Sequence, residues 1–240
     1  MNKLFDPTNP RSNHILASLP EEEYVRISEH LMPFTLSLGE VIFEPNVVMK
    51  EVYFPVKGIV SLLYVMEDGA SAEVAIVGKE GIIGISLFMG GETTINRAVV
   101  QSEGAAFKLS GRMLRKILLD HGTLPRLLLR YTQAFLTQMA QTAVCNRHHT
   151  IDQQLCRWLL LSLDRLETDK LVMTQELIAN MLGVRREGVT EAAGKLQADG
   201  LIAYSRGQIT VLNRAGLEAR VCECYAVVRD ETTHINAQLR

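Results

Sequence analysis

Three consecutive charged residues, Arg185, Arg186 and Glu187, have side chains that can read the edges of base pairs. An arginine can donate two hydrogen bonds to guanine O6 and N7, and a glutamate can accept one from cytosine N4. Such chemistry requires an element that carries the side chains into a groove of duplex DNA. The residues around the tripeptide must therefore decide whether it stands at an exposed tip.

The flanking sequence has the pattern of two short helices joined by a tight turn. Thr174 can cap the first helix, Gly183 permits a left-handed turn, and Val184 can fill the corner before a second helix starts at about Arg185. The apolar residues that recur at helical spacing, and that we expect to face inward, are Leu177, Ile178, Met181, Val189, Ala192, Ala193 and Leu196. This pattern predicts a helix-turn-helix whose second helix presents its first residues to the major groove.

Two short strands are predicted after the second helix, at 201–204 and 208–212, with Arg206 at the tip of the wing that they form. Thr174 and Gln175 would stand at the N-terminus of the first helix, where amides and small polar side chains can hold a phosphate. The residues predicted to contact DNA are Thr174, Gln175, Arg185, Arg186, Glu187, Thr190 and Arg206.

The alternative is a small helical domain in which the charged tripeptide is only a solvated face. Gly188 and Gly194 argue against it, because each costs about 1 kcal/mol relative to alanine inside a helix and so suggests a close approach by another group. Charge argues for it, since 171–196 contains three basic and three acidic residues. The whole chain has a net charge of −2, so DNA binding would depend on a few local contacts.

The residues before this region predict a separate β domain. From 34 to 109 the chain consists of short runs rich in Val, Ile, Phe and Tyr, interrupted by Gly, Pro, Asn and Asp, which is typical of a small antiparallel jelly roll. The clearest hairpin joins 59–66 to 72–77 through Glu67-Asp68-Gly69.

A long helix is predicted from Thr123, which can cap it with Pro125 tolerated in the first turn, to about Asn146, and another from 151 to 166. The long helix has two apolar stripes, one with Leu128, Tyr131 and Phe135 and the other with Leu129, Leu136, Met139 and Ala143. We expect one side to pack on the sheet and the other on a second copy, and the residues assigned to dimerisation are Leu128, Tyr131, Phe135 and Met139. A helix packed wholly within one chain is the alternative.

The segment Thr174–Val189, followed by Leu196–Ile202, resembles the winged helix-turn-helix of the Crp/Fnr family of bacterial transcription regulators. Three upstream segments, 38–42, 52–60 and 80–84, resemble that family's cyclic-nucleotide-binding-like jelly roll. The resemblance implies an α+β fold with an N-terminal antiparallel β jelly roll, a long dimerisation helix and a C-terminal winged helix-turn-helix. The corresponding domains are a sensor domain (1–122), a dimerisation helix (123–146) and a DNA-binding domain (147–240).

The resemblance also assigns roles to particular residues. Arg186 and Glu187 match the family's base-reading Arg-Glu pair, whereas Glu191 stands where a further basic residue is often used, so Arg185 becomes a candidate for that contact. The implied partners are double-stranded DNA, a second copy of the chain and RNA polymerase. No membrane partner is expected, because no run approaches the ~18 apolar residues of a membrane span. Since 1–7 also lacks the apolar core of a secretion signal, we expect a cytoplasmic protein.

A possible effector pocket contains Gly84, Ile85, Ser86 and Arg97. Family members that bind cyclic nucleotides have a Glu directly after this Gly to hold the ribose. Ile85 offers no acceptor to a ribose hydroxyl, so cyclic AMP or cyclic GMP is not expected, although Arg97 could meet an anion. The pocket is then either empty or occupied by another ligand.

Neither a cofactor nor a metal site is predicted. There is no cysteine before Cys145, which is against the N-terminal iron–sulfur cluster of oxygen-sensing relatives. Cys222 and Cys224 would point apart on a helix and are interpreted as ordinary thiols, and His148 and His149 as solvated polar residues.

Catalysis is not predicted either, because the run Gly84–Phe88 has Phe88 where a nucleophile elbow needs its second Gly. The remaining alternative is an adaptor that binds proteins and has a helix-turn-helix that does not bind DNA.

Overall fold

The computed structural model describes residues 8–120 and 122–238, with side chains up to Thr233. The segment 1–7, on which the expectation about a secretion signal depends, lies outside the described residues. The helices are α1 (His14–Ala17), α2 (Glu21–Ser28), α3 (Gly111–Leu118), α4 (Thr123–His148), α5 (Ile151–Leu163), α6 (Gln175–Leu182), α7 (Arg186–Ala198), α8 (Arg214–Arg220) and α9 (Glu223–Gln238). The strands are β1 (Met32–Leu36), β2 (Val41–Phe43), β3 (Glu51–Val65), β4 (Ser71–Val77), β5 (Arg97–Ser110), β6 (Lys170–Val172), β7 (Ile202–Ser205) and β8 (Gln208–Val211).

The N-terminal strands form a sheet of order β1-β5-β3-β4, in which β2 also pairs with β5. The β1–β5 pairing is antiparallel and runs from Met32↔Lys108 to Leu36↔Gly104. Phe54, Ile59 and Leu109, which belong to strands β3 and β5, are fully buried, as expected from the apolar runs of the sequence. The predicted antiparallel β domain followed by a long helix and a helix-turn-helix is confirmed.

The predicted hairpin is present, with β3 and β4 joined by a turn in which Gly69 has a φ of +86°. Strand β3 begins already at Glu51, so it is longer than the apolar run alone predicts. The reason is that Pro55 and Lys57, which look like interruptions in the sequence, are accommodated inside the strand.

Helix α4 agrees with its predicted bounds within two residues, but its N-terminus is capped differently. The sequence predicts that Thr123 caps the helix, whereas the structure has Thr123 as the first helical residue. The backbone N–H of Thr123 donates to both carboxylate oxygens of Glu23, at 2.8 and 2.9 Å. An acidic side chain from α2 therefore satisfies the first amides and complements the positive end of the helix dipole.

The choice of stripe on α4 is corrected by the structure. Leu128, Tyr131 and Phe135 are buried within their own chain, and Met139 is half-buried. Tyr131 packs so closely on Gly81 that a Cβ built there would lie 2.4 Å from the tyrosine ring. Leu128, Tyr131 and Phe135 therefore cannot form the surface that meets a second copy, and this part of the prediction is wrong.

The other stripe of α4 is exposed. Leu129 and Leu136 have 62% and 54% of their surface accessible to solvent, and Val144 near the end of the helix has 46%. Ala140 and Ala143 are exposed between them. This exposed α4 stripe, consisting of Leu129, Leu136, Ala140, Ala143 and Val144, is the apolar surface of the helix that its own chain leaves uncovered.

The described residues form two compact units whose boundary falls within α4. One contains the chain up to Leu62, Ile76–Phe135 and the residues from Thr232 onward, and the other contains Leu63–Ala75 and Leu136–Glu231. In the second unit β6, β8 and β7 form a three-stranded sheet beside α5, α6 and α7. None of the helices within 8–120 and 122–238 has the length and apolar character needed to cross a bilayer.

Candidate nucleic-acid interface

The turn between α6 and α7 has the predicted geometry. The hydroxyl of Thr174 accepts a hydrogen bond from the N–H of Leu177 at 3.2 Å and so caps α6. Gly183 ends that helix with φ +66°, a left-handed conformation that glycine adopts without steric cost. Ile178 and Met181 are buried as expected, but Leu177 is 45% exposed, which contradicts its predicted inward position. The inner face is filled instead by Ala179 and Leu182.

Helix α7 presents the charged tripeptide at its N-terminal tip. Arg185 occupies the N-cap position, and Arg186 and Glu187 form the first turn. These three side chains and that of Thr190 are exposed, whereas Val189 is fully buried on the opposite face. A weak ion pair of 4.0 Å joins Arg186 to Glu176, and both side chains are largely exposed. The guanidinium of Arg186 can therefore leave this pair for a base at little cost.

A hydrogen bond between two of the predicted DNA contacts links the two helices. The hydroxyl of Thr190 donates to Oε1 of Gln175 at 2.8 Å. Because Gln175 is in the first turn of α6, this bond holds the N-terminus of α6 beside the exposed face of α7. The structure therefore brings the α6 and α7 candidates together on one surface.

The wing between β7 and β8 completes a concave surface. Its turn has two residues, Arg206 and Gly207, both with positive φ (+52° and +75°), as in a type I′ hairpin. The hydroxyl of Tyr204 donates to the carbonyl of Met173 at 2.9 Å and anchors the wing beside α6. The groove between the wing and the N-terminus of α6 is lined by Thr174, Gln175, Arg186, Tyr204, Ser205, Arg206 and Gly207.

The two glycines of α7 have different surroundings. A Cβ on Gly188 would lie 2.6 Å from Cδ1 of Ile151, so the close approach comes from α5 of the same chain. A Cβ on Gly194 would meet nothing within 4 Å. The packing of α5 against α7 therefore explains Gly188. Neither glycine is evidence for contact with a nucleic acid.

The predicted effector pocket has no free cation at Arg97. Gly84 adopts φ +90° before a short 3₁₀ helix, Ile85–Leu87, in which Ile85 and Ser86 are half-buried. Arg97 begins β5, and its Nε donates to Oε2 of Glu44 at 2.7 Å. An anionic ligand would have to compete with this carboxylate, and the aliphatic side chain of Ile85 would offer it no hydrogen bond.

The cysteines and one histidine of the C-terminal unit come together, which sequence reasoning missed. Cys222 precedes α9 instead of lying within it, so Cys222 and Cys224 are both buried and do not point apart. His149, predicted to be solvated, has only 15% of its side chain exposed. The ligand atoms of these three residues and of Cys145 all lie within 4.8 Å of one another. No local pattern indicates this cluster, because 77 residues separate Cys145 from Cys222.

Comparison with known proteins adds independent evidence. A model of the cyclic nucleotide-binding domain matches residues 33–121, and a model of the Crp-like helix-turn-helix domain matches residues 153–220. The global nitrogen regulator of Synechococcus elongatus is 26% identical over 189 residues, which cover 75% of this chain and 85% of the relative. The corresponding regulator of Synechocystis sp. is 25% identical over 205 residues, 80% of this chain and 91% of the relative.

A solved structure has the same fold. FixK2 from Bradyrhizobium japonicum superimposes with a TM-score of 0.67 at 19% identity, over 80% of this chain and 98% of that one. Fold, interface and domain matches together define a DNA-binding transcription regulator with a cyclic nucleotide-binding-type domain. The chain belongs to the Crp/Fnr family.

Proposed function

We propose that this regulator binds a two-fold symmetric operator as a homodimer and reads each half-site with the tip of α7. In this proposal Arg186 and Glu187 contact base edges and Arg185 adds a contact that the acidic Glu191 cannot make. Thr174, Gln175, Thr190 and Arg206 hold the DNA backbone. The half-sites would lie about one helical turn, ~34 Å, apart.

The observation that carries this proposal is the exposure of Arg185, Arg186 and Glu187 at the start of a helix whose other face is buried. Side chains in the first turn of a recognition helix reach furthest into the major groove. The groove beside them is lined by Arg186 and Arg206. The positive charge of two arginines is suited to the DNA phosphates that flank a contacted base.

The exposed α4 stripe supports dimerisation. Leu129, Leu136 and Ala143 recur at seven-residue intervals, which is the period of a coiled-coil seam. Two large leucines left in water on a long helix favour a partner helix with the same pattern. We infer that this stripe, with the helix 123–146 as its support, is where two copies meet.

The proposed signal is not a cyclic nucleotide. In the sensor domain, 1–122 in this proposal, the aliphatic side chain of Ile85 offers no acceptor to a ribose, and Arg97 is already paired with Glu44. The protein would act in the cytoplasm, on DNA and with RNA polymerase as a further partner, and without catalysis or a membrane partner.

Selection of bound sites from random duplex DNA tests the proposal. We expect the wild-type protein to recover a two-fold symmetric sequence. Arg186→Ala should lose discrimination at one base pair in each half-site, by about 1–3 kcal/mol, because a bidentate base contact is removed.

Arg112→Ala is the matched control, since it removes an exposed arginine from α3, which is not part of the proposed interface. It should select the same sequence as the wild type. A uniform loss of affinity across all sequences in Arg186→Ala would place that residue on the phosphates. If the wild type retained no DNA, the adaptor alternative would be favoured. A helix-turn-helix that does not bind DNA needs no excess of basic residues, which would explain the balanced charges of the α6–α7 region.

A further inference from the structure

Four side chains with metal-binding chemistry converge at the end of α4. Cys145 is in the last turn of α4, His149 directly follows that helix, and Cys222 and Cys224 flank the first residue of α9. Sγ of Cys145 lies 3.6 Å from Sγ of Cys222, and Sγ of Cys224 lies 3.6 Å from Nδ1 of His149. All four ligand atoms are within 4.8 Å of one another.

These separations fit a single tetrahedral ion. Zinc lies about 2.3 Å from a cysteine sulfur and about 2.0–2.1 Å from a histidine nitrogen, so tetrahedral angles place two sulfurs ~3.8 Å apart and a sulfur and a nitrogen ~3.6 Å apart. A disulfide would need a sulfur–sulfur distance of about 2.05 Å, which is far shorter than the distance between Cys145 and Cys222. A multinuclear iron–sulfur cluster would attach the cysteines to different irons and hold their sulfurs further apart.

The surroundings of the four ligands also suit a metal. Nε2 of His149 lies 3.4 Å from Oε2 of Glu223, so the ring nitrogen opposite the cluster has a carboxylate partner. Histidines that bind metals commonly donate their second N–H to such a group, which fixes the tautomer and the orientation of the ring.

The way the four side chains face one another also needs an explanation. The polar contacts of the three thiols are with one another and with the imidazole: Sγ of Cys145 contacts Sγ of Cys222, and Sγ of Cys224 contacts Nδ1 of His149. Buried cysteines often act as small apolar side chains, but apolar packing alone does not require three sulfurs and an imidazole nitrogen to face one point.

We propose that Cys145, His149, Cys222 and Cys224 bind one Zn²⁺ in a closed tetrahedral Cys₃His site. The site has a structural role: it fastens the C-terminal end of the long helix to the beginning of α9, two segments that are distant in sequence. This replaces the earlier interpretation of the cysteines as ordinary thiols.

The test begins with the full-length wild-type protein, purified under reducing conditions. We expect elemental analysis to find one equivalent of zinc per chain. Exchange for Co²⁺ should give the intense visible bands of a tetrahedral ion and a thiolate-to-cobalt charge-transfer band. Zinc content below a tenth of an equivalent after incubation with zinc, or the pale spectrum of octahedral cobalt, would overturn the proposal.

Variants then assign the ligands. Cys222→Ser and Cys224→Ser should lose stoichiometric zinc and the charge-transfer band, whereas Cys156→Ser, which removes a buried thiol outside the set, should keep both. Equal metal content in all three variants would contradict the assignment, and so would a Cys145–Cys222 disulfide found by mass spectrometry in the purified protein.

A substitution outside the four ligands tests the site without the risk that the loss of a buried cysteine prevents folding. Glu223 is largely exposed, so Glu223→Gln should fold normally but bind zinc about 10–100-fold more weakly in competition with a chelator, because His149 loses its carboxylate partner. Asp230→Asn, an exposed acid on the same helix, is its control and should leave the zinc affinity unchanged. Identical affinities for Glu223→Gln and the wild type would contradict the proposed orientation of His149.

Discussion

Arg206 is in a backbone conformation that an arginine rarely adopts. Its φ of +52° is in the left-handed region, where the Cβ atom of an L-residue crowds the following carbonyl at a cost of about 1–2 kcal/mol. The first position of such a turn normally contains asparagine, aspartate or glycine. A strained arginine at the tip of an exposed wing suggests that its side chain is retained for a contact outside the chain.

Arg206→Asn should therefore separate stability from function. We expect the free energy of unfolding in urea to rise by about 0.5–1 kcal/mol, because asparagine tolerates the left-handed conformation. Affinity for DNA should fall by a similar factor for every sequence, with a salt slope smaller by about 1 for each phosphate contact that is lost. Ser205→Asn, at the adjacent strand position, should give no gain in stability. Lower stability with unchanged DNA binding would show that Arg206 has a structural role.

Helix α4 shows how far sequence patterns can predict an element. Its length follows from the absence of any breaker between Pro125, which the first turn tolerates, and Asn146, and its two stripes follow from helical periodicity. Periodicity does not tell which stripe faces the protein's own core. That choice depends on Gly81, whose missing side chain makes room for Tyr131, and this is a contact between residues far apart in the chain.

The same limit explains the other differences between prediction and structure. The turn at Gly183 and the exposed tip at Arg186 are local features, so the sequence predicted both. The capping of α4 by Glu23 and the meeting of Cys145 with Cys222 depend on tertiary contacts across roughly 80–100 residues of chain, which no local pattern encodes.

Leu136→Glu tests the exposed α4 stripe. If the two copies of α4 pair in parallel through this stripe, Leu136 of each copy lies near its counterpart, so two glutamates there would repel each other and each would be desolvated. We expect the variant to be monomeric by analytical ultracentrifugation at micromolar concentration. Its operator affinity should fall by roughly 100-fold or more, because two linked recognition helices no longer bind together. Leu119→Glu changes a leucine that is 74% exposed outside α4 and should remain dimeric. If Leu136→Glu also stayed dimeric, the interface would have to lie elsewhere.

For the molecule as a whole, charge gives little help to DNA binding. The part of the chain up to Cys145 has 13 basic and 15 acidic residues, and the part after it has 12 of each. Neither half therefore attracts DNA by its net charge, and non-specific binding should be weak at physiological salt. In the proposed interface the binding energy would come from the few placed contacts of α6, α7 and the wing, which would make binding depend on the operator sequence.

Ligands that bind the native state raise its stability, so thermal unfolding of the full chain can test in one assay the proposed binding of an operator and the proposed failure to bind cyclic nucleotides. A ligand present at 100 times its dissociation constant should stabilise the protein by about 2.7 kcal/mol. We expect the duplex recovered by site selection to raise the melting temperature and a scrambled duplex of equal length to leave it almost unchanged. Cyclic AMP and cyclic GMP should also leave it unchanged, because Ile85 cannot accept a hydrogen bond from a ribose and Glu44 already neutralises Arg97. A rise in melting temperature at micromolar cyclic nucleotide, confirmed by calorimetry, would show that the sensor domain holds such a ligand by groups other than these.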